Sequence, residues 1–218
     1  MAYVLEICGL EYGYDARSVL DGFDFAQRAG EHRVLLGPSG SGKTTLIHLI
    51  AGLLSPRRGS ILVDGEMISD LPPVERDALR RRTIGVVFQT LRLVAALDVT
   101  QNLLLAQRLA GQRRDQGEVK ALLGELGLLH RAHARPRELS QGEAQRAAIA
   151  RSLVTRPKLL IADEPTSALD DANAERVARL LIDTANAQGS TLLVATHDAR
   201  IKAFIPGAVT LAPAAEAA

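Results

Sequence analysis

Short, continuous apolar runs recur along the chain, each bounded by polar residues or glycine. Runs of this kind are typical of strands buried on both faces, as in a parallel sheet covered by helices. The clearest runs are Val34–Leu36, Val86–Phe88, Leu159–Ala162 and Leu192–Ala195. The pattern therefore predicts a parallel sheet that contains these four segments.

Between these runs, apolar residues recur with the 3.6-residue period of a helix. The period is clearest in Val119–Leu126, which is followed by Gly127, and in Val177–Thr184, which precedes Gly189. Glycine shortly after the last periodic residue is a helix stop signal. Strands that alternate with helices in this way indicate a doubly wound α/β core.

The segment from residue 90 to residue 154 departs from that alternation. It has helical periodicity and glycine-bounded ends but no good strand, so we expect a helical lobe inserted between two parts of the α/β core, residues 1–89 and 155–218. Ser60–Asp64, followed by Gly65, predicts a hairpin strand and its turn, which makes part of the N-terminal half antiparallel.

Composition narrows the class of protein. The chain has 218 residues, 47% hydrophobic and 23% charged, as expected of a soluble globular domain. A net charge of +1 and an aromatic content of 3% argue against a nucleic-acid-binding surface. No apolar run approaches the ~20 residues that span a bilayer, and no secretory signal is expected. The single cysteine, Cys8, excludes an internal disulfide and suits the cytosol; we expect a small buried residue of the first strand rather than a catalytic thiol. The tail Ala212–Ala218 is expected to be frayed.

One stretch carries a specific chemical signal, the pattern G-x-x-x-x-G-K-[ST] between a predicted strand and a predicted helix. It comprises Gly37, Pro38, Ser39, Gly40, Ser41, Gly42, Lys43 and Thr44, with Thr45 next. Glycines let successive backbone N–H groups approach a phosphate closely, and the following helix adds its positive dipole end. We therefore predict a phosphate-binding loop in which Lys43 contacts the β- and γ-phosphates and the Thr44 hydroxyl ligates Mg²⁺. The alternative is a glycine- and serine-rich loop that merely caps a helix.

Two adjacent carboxylates follow the apolar run Leu159–Ala162. A strand in a parallel sheet delivers its last residues to the ligand-binding edge. We expect Asp163 to hold Mg²⁺ opposite Thr44, and Glu164 to orient or deprotonate the attacking water. Two carboxylates beside a triphosphate would repel it strongly, so the electrostatics require the metal. On its own, Asp-Glu-Pro-Thr would serve equally well as a strand end followed by a helix cap.

The segment Leu139–Glu143 resembles the signature sequence of ATP-binding cassette (ABC) ATPases, usually Leu-Ser-Gly-Gly-Gln or Leu-Ser-Gly-Gly-Glu. The family's other elements stand in the expected order between about Val4 and Val209. The resemblance implies an ATPase that uses ATP and Mg²⁺. It also implies a P-loop NTPase (RecA-like) α/β core with an antiparallel β subdomain and an inserted α-helical lobe.

The same resemblance implies roles for further residues. Tyr14 resembles the aromatic residue that stacks on adenine, Gln89 the glutamine that contacts Mg²⁺ and senses the γ-phosphate, and His197 the switch histidine. One further segment resembles the family's loop that crosses the dimer interface; it comprises Ser167, Ala168, Leu169 and Asp170. Taken singly, Tyr14 could be a surface turn residue, Gln89 an ordinary amide at a strand end, and His197 a structural histidine.

The signature residues are implied to act on a second subunit. Ser140, Gln141, Gly142 and Glu143 would contact the ATP of a partner copy, so the resemblance implies a head-to-tail homodimer with each ATP between two chains. Ser140 and Glu143 also form a capping-box pattern for a helix over Ala144–Val154, and both interpretations can hold. Gln141 replaces the first glycine of the usual pair and adds a side chain near the phosphate.

Within the family, the chain most resembles bacterial lipoprotein-releasing, macrolide-export and cell-division ATPases, through Leu139–Glu143, Gln145-Arg146 and Ala162–Thr166. These relatives imply a peripheral subunit on the cytoplasmic face of the membrane. It would power a separate integral-membrane permease of the export or lipoprotein-extraction type. The alternative is a non-transport ATPase that drives a cell-division signalling complex.

Three surface segments are candidates for partner contact. The family's coupling groove would involve Thr90–Leu97, although these apolar residues could instead belong to the core of the helical lobe. The basic clusters Arg80–Arg82 and Arg113-Arg114 could face lipid headgroups or partner acids, or be solvated helix surface.

Overall fold

The computed structural model describes residues 2–15, 17–166 and 170–211. The predicted tail and Ser167–Leu169 of the predicted dimer loop lie outside these ranges. The strands are β1 (Tyr3–Tyr14), β2 (Arg17–Arg28), β3 (Arg33–Leu36), β4 (Arg58–Val63), β5 (Glu66–Met67), β6 (Ile84–Val87), β7 (Leu159–Asp163), β8 (Thr191–Thr196) and β9 (Ala208–Thr210). The α-helices are α1 (Lys43–Ile50), α2 (Pro73–Thr83), α3 (Val99–Leu109), α4 (Gln116–Glu125), α5 (Gln141–Leu153) and α6 (Asp171–Gln188).

A five-stranded parallel sheet forms the centre of the fold, with the strand order β6-β7-β8-β3-β9. It contains all four segments predicted from apolar runs. Successive side chains of β7 belong to opposite faces: Leu159 and Ile161 lie in one buried cluster, and Leu160 and Ala162 in the other. Burial on both faces explains why these strands are continuously apolar.

The second sheet is antiparallel, with the order β2-β1-β4-β5. The hairpin predicted at Ser60–Gly65 is present, since Val63 of β4 pairs with Glu66 of β5. The expectation that Cys8 is buried is wrong. It lies in β1 opposite Ser60, but its side chain is exposed.

Helix α1 lies between the two sheets. Its apolar residues, such as Leu46 and Ile50, share one buried cluster with Ile61 of the antiparallel sheet and Ile161 of the parallel sheet. Burying an aliphatic side chain of this size contributes about 1.5–3 kcal/mol. This packing holds the start of α1, and the loop before it, at one edge of the parallel sheet.

Residues 90–154 contain α3, α4 and α5, two short 3₁₀ segments and no strand. Helix α4 confirms the predicted period and ends just before Gly127, whereas α5 begins at Gln141, three residues earlier than predicted. Leu103 and Leu123 pack in the same cluster as Leu160 of the parallel sheet. The fold class is as predicted, and the division into lobes at residues 90 and 154 stays a prediction. Among the described residues, no helix combines the length and apolar character needed to cross a bilayer.

Candidate functional site

The glycine-rich loop runs from the end of β3 to the start of α1 and is sterically tight. A Cβ on Gly37 would stand 2.4 Å from Ser41 Oγ and 2.8 Å from the Leu211 carbonyl oxygen. Gly42 has a φ of 95°, and a Cβ there would stand 2.7 Å from a methyl carbon of Val19. Only glycine fits either position without movement of its neighbours, so the close backbone path that phosphate binding needs is built into the loop.

Lys43 begins α1 and is turned back along the loop. Its side chain is 4% exposed, and Nζ donates hydrogen bonds to the carbonyl oxygens of Gly37 (2.8 Å) and Pro38 (3.0 Å). The same Nζ lies 3.3 Å from Oε1 of Glu164. The ammonium group is therefore held at the mouth of the loop by groups that phosphate oxygens can replace.

Asp163 ends β7 and faces α1. The Thr44 hydroxyl lies 3.1 Å from Oδ2 and 3.4 Å from Oδ1 of Asp163. Burial, reinforced by the neighbouring charge of Glu164, raises the pKa of Asp163, and the hydrogen bond from Thr44 works against that rise. Two of the three predicted metal ligands, Thr44 and Asp163, are thus in direct contact, whereas the third, Gln89, lines the nucleotide cavity described next.

Glu164 follows at a sharp turn, with a φ of 48°. Its backbone N–H donates to the Ala195 carbonyl (2.8 Å), which ties the turn to β8. Oε2 accepts a hydrogen bond from the Thr196 hydroxyl (2.9 Å) and lies 2.9 Å from Nδ1 of His197. Burial alone would raise the pKa of Glu164, but hydrogen bonds from His197 and Thr196 and the charge of Lys43 outweigh it, so the pKa is lowered. A carboxylate that is ionised and held at three points can accept a proton in a defined direction.

Most of the predicted nucleotide residues surround one cavity of about 430 Å³. Its lining comprises Tyr14, Arg17, Ser18, Val19, Ser39, Gly40, Gly42, Lys43, Thr44, Thr45, Gln89, Glu164 and His197. Gly37, Pro38, Ser41 and Asp163 are outside the lining. Ser41 is 1% exposed, and its hydroxyl has no partner among the described protein atoms.

Tyr14 and Gln89 both line this cavity. Tyr14 ends β1, is 50% exposed, packs edge-on against Tyr12, and has its hydroxyl 3.5 Å from Thr45 Oγ1. Gln89 is exposed and lies two residues beyond the end of β6, which stops one residue before the end of the predicted run Val86–Phe88. Both placements are compatible with the predicted contacts, which stay predictions.

The residues present fit a magnesium ion bound together with phosphate. Mg²⁺ prefers oxygen ligands, and Thr44 and Asp163 each supply one. The two side chains lie within hydrogen-bond distance of each other, so one ion could contact both. No group of three or more His, Cys, Asp or Glu side chains that could hold a metal occurs in the described ranges. Magnesium is commonly held by one or two protein oxygens, with phosphate and water completing its coordination.

The signature residues lie at a different place. Ser140 is the N-cap of α5, and its hydroxyl accepts from the Glu143 N–H (3.3 Å) in the predicted capping box. Ser140, Gln141 and Gly142 line a second cavity of about 510 Å³, which shares no lining residue with the first. The Glu143 carboxylate instead contacts Arg131 Nε (2.8 Å), and that hydrogen bond, with those from Ser140, lowers the pKa of Glu143 to about 2.

Only the last residue of the predicted dimer loop can be placed. Asp170 is the N-cap of α6, and its side chain accepts from the Asn173 backbone N–H (2.9 Å). This hydrogen bond lowers the pKa of Asp170. The role of the loop stays a prediction.

Several residues of the site escaped prediction. Arg17, Ser18 and Val19 reach the cavity because the β1–β2 hairpin packs over the loop, and no local pattern marks them. Thr196, which holds Glu164, could have been found as the residue between the predicted run Leu192–Ala195 and His197.

Comparison with known proteins shows the family of the chain. The sequence profile of the family described as "ABC transporter" matches residues 20–167. The chain belongs to the ABC transporter family. As a member of this ABC family, it binds ATP and hydrolyses it, which confirms the resemblance drawn from the motifs.

Relatives within the ABC family match most of the chain. It is 41% identical over 217 residues to the lipoprotein-releasing system ATP-binding protein LolD of Hyphomonas neptunium, covering 97% of this chain and 95% of that protein. It is 41% identical over 187 residues to LolD of Hydrogenovibrio crunogenus, covering 85% and 81%. The solved dimeric structure of MJ0796, a bacterial ABC transporter cassette, superposes with a TM-score of 0.86 at 29% identity, covering 96% and 95% of the chains. A dimeric post-hydrolysis state of MJ0796 bound to ADP and Pi superposes with a TM-score of 0.84 at 30% identity, covering 95% and 94%.

Proposed function

We propose that this ABC-family chain is the ATP-hydrolysing subunit that powers a separate integral-membrane permease of the lipoprotein-releasing type. It would act from the cytoplasmic face of the membrane. The observation that carries the proposal is the 41% identity to LolD over 97% of this chain. The site geometry supports the mechanism proposed below.

In the proposed reaction, the loop backbone and Lys43 bind the β- and γ-phosphates. Lys43 exchanges its contacts with two loop carbonyls and Glu164 for phosphate oxygens. Thr44 and Asp163 would hold Mg²⁺, which when bound offsets the charge that develops on the phosphates. Glu164 accepts the proton of the attacking water, and His197 fixes the direction of that carboxylate.

Two copies are proposed to complete each site. The nucleotide cavity contains no residue of the signature segment, and Ser140–Gly142 line a cavity of their own. The N-terminus of α5 offers backbone N–H groups and a positive dipole to an anion. A two-fold pair would place this terminus of one copy against the ATP of the other. The similar cassette MJ0796 is solved as a dimer bound to ADP and Pi, which supports pairing. ATP binding would then close the pair, and hydrolysis would reopen it.

A groove beside the nucleotide cavity is the proposed permease contact. It has a volume of about 470 Å³ and includes Val94 from the predicted segment Thr90–Leu97, whereas Leu93 of that segment packs into the core. Phe88 lines this groove and the next residue, Gln89, lines the nucleotide cavity. A helix docked in the groove would therefore be one residue away from the proposed γ-phosphate sensor.

The positive charge of the groove favours a partner that carries negative charge. Its apolar lining includes the exposed Leu53 and Leu109, and its charged lining residues are all arginines: Arg80, Arg81, Arg92 and Arg151. Asp77 pairs with Arg80 and Arg81 just outside the lining. A short amphipathic cytoplasmic helix that carries an acidic residue would match this surface. The second basic cluster, Arg113-Arg114, lies elsewhere, in a separate cavity that Asp115 also lines.

Capture from native membranes tests the proposal. A tagged Glu164→Gln variant, incubated with Mg–ATP in detergent-solubilised membranes of the source organism, should retain an integral-membrane protein of the lipoprotein-releasing class. Leu109→Asp, in the groove, should abolish capture. The matched change Leu129→Asp, at a residue that is similarly exposed but outside the groove, should not. Retention of a cell-division membrane protein instead, or equal capture by the Leu109 variant, would contradict the proposal.

A further inference from the structure

One guanidinium group ties the loop after β8 to the start of α6. Arg200 lies in the 3₁₀ segment Ala199–Ala203 and makes a two-point contact with Asp198, from Nε to Oδ1 (2.8 Å) and from Nη2 to Oδ2 (2.7 Å). Its remaining nitrogen, Nη1, donates to Oδ1 of Asp171 in the first turn of α6. Asp171 directly follows Asp170, the last residue of the predicted dimer loop.

The same contacts continue to the proposed catalytic carboxylate. Oδ2 of Asp198 also accepts a hydrogen bond from the hydroxyl of Thr166 (3.0 Å). Thr166 lies two residues after Glu164 in the chain. The Asp198 backbone N–H donates to Thr196 Oγ1 (3.0 Å), which in turn donates to Oε2 of Glu164 (2.9 Å). Hydrogen bonds on both sides of Asp198, to its carboxylate and from its backbone N–H, therefore link the first turn of α6 to Glu164.

We propose that Arg200 is a positioning residue that couples the placement of the α6 N-terminus, where the predicted partner-facing loop ends, to the placement of Glu164 and His197. The inference rests on the proposed role of Glu164 as the base. Arg200 does not line the nucleotide cavity, so it would act through Asp198 and Thr196.

The geometry separates this contact from an ordinary surface ion pair, which contributes little. The Asp198 side chain is only 9% exposed, and both of its oxygens are occupied. Hydrogen bonds from Arg200 hold the pKa of Asp198 at about 2, so the contact persists at working pH. Lysine cannot reproduce it, because a single ammonium lacks the planar fork that spans two carboxylates. Asp171 is 91% exposed, which leaves it open to the approach of a second subunit.

A double-mutant cycle on the full chain tests the inference. Arg200→Ala should lower kcat for ATP by about tenfold, less than the ~100-fold that a 1 Å misplacement can cause, because the Thr166 and Thr196 contacts remain. KM and the number of sites titrated by a fluorescent ATP analogue should stay within about twofold, which separates positioning from loss of folded protein. Arg200→Lys should fall between wild type and Arg200→Ala. Lys202→Ala, exposed on the same 3₁₀ segment, is the control.

The cycle is completed with Asp171→Asn. If Asp171 acts through Arg200, its change should lower kcat in the wild-type background and have no further effect in Arg200→Ala. Equal kcat for Arg200→Ala and Lys202→Ala, or full additivity of the two changes, overturns the inference while leaving the proposed function intact. A parental kcat for Glu164→Gln instead refutes the assigned base and, with it, the end point of the coupling.

Discussion

Replacing Glu164 by glutamine tests the centre of the mechanism because it removes one charge and leaves the shape. The amide oxygen can still accept from the Thr196 hydroxyl, now 2.9 Å from Oε2. The lowered pKa of Glu164 makes the group an ionised carboxylate at neutral pH, and the amide cannot take a proton from water. A positioned base contributes about 10²–10⁴ in rate, so we expect kcat to fall by about 10²–10³, equivalent to roughly 3–4 kcal/mol in the barrier.

The same change should not weaken ATP binding. Glu164 lies 3.3 Å from Lys43 Nζ and competes with phosphate for that ammonium, so loss of its charge leaves Lys43 freer to bind phosphate. We expect Mg–ATP affinity equal to or tighter than that of the parent, and a dimer that persists with ATP in light scattering. Phosphate release measured under single-turnover conditions isolates the chemical step. Hydrolysis at the parental rate would show that Glu164 is not the base.

The other predictions use the same assays. Lys43→Ala should weaken ATP binding by about ten- to a hundredfold, since a charge-assisted hydrogen bond contributes roughly 1.5–3 kcal/mol; unchanged affinity in calorimetry would refute the phosphate-loop assignment. Ser140→Arg should leave ATP binding by the monomer intact but prevent ATP-dependent dimerisation in light scattering. Ser140→Ala, which loses the cap at a cost of about 1 kcal/mol together with the hydroxyl but adds no bulk, should still dimerise. The pKa of Glu143 falls from 4.5 to about 2 on folding, so its stabilising contribution is complete above pH 4.5 and is lost as the pH falls toward 2. Urea midpoints should therefore fall less steeply over that range in Glu143→Gln than in the parent; parallel curves would contradict this.

The sequence predicted those parts of the molecule that local patterns encode. The run Leu159–Ala162 is continuously apolar because β7 is buried on both faces, and Gly37 is demanded by a backbone path with no room for a Cβ. Long-range packing lies beyond such patterns. Val19 reaches the nucleotide cavity only because a hairpin packs across the loop, and the pairing of Arg131 with Glu143 joins residues whose sequence gives no sign of contact.

The order of the strands explains how distant segments form one site. Gln89 follows β6, Glu164 follows β7, His197 follows β8 and the phosphate loop follows β3, and these four strands are neighbours in the parallel sheet in that order. Because parallel strands end at the same edge, all four groups meet there. Adjacent strands β7 and β8 bring His197 onto Glu164, whereas Gln89 stands at the far end of the series, next to the groove. The proposed base and its histidine thus follow two interior strands, and the outermost strand β6 carries the proposed γ-phosphate sensor beside the groove.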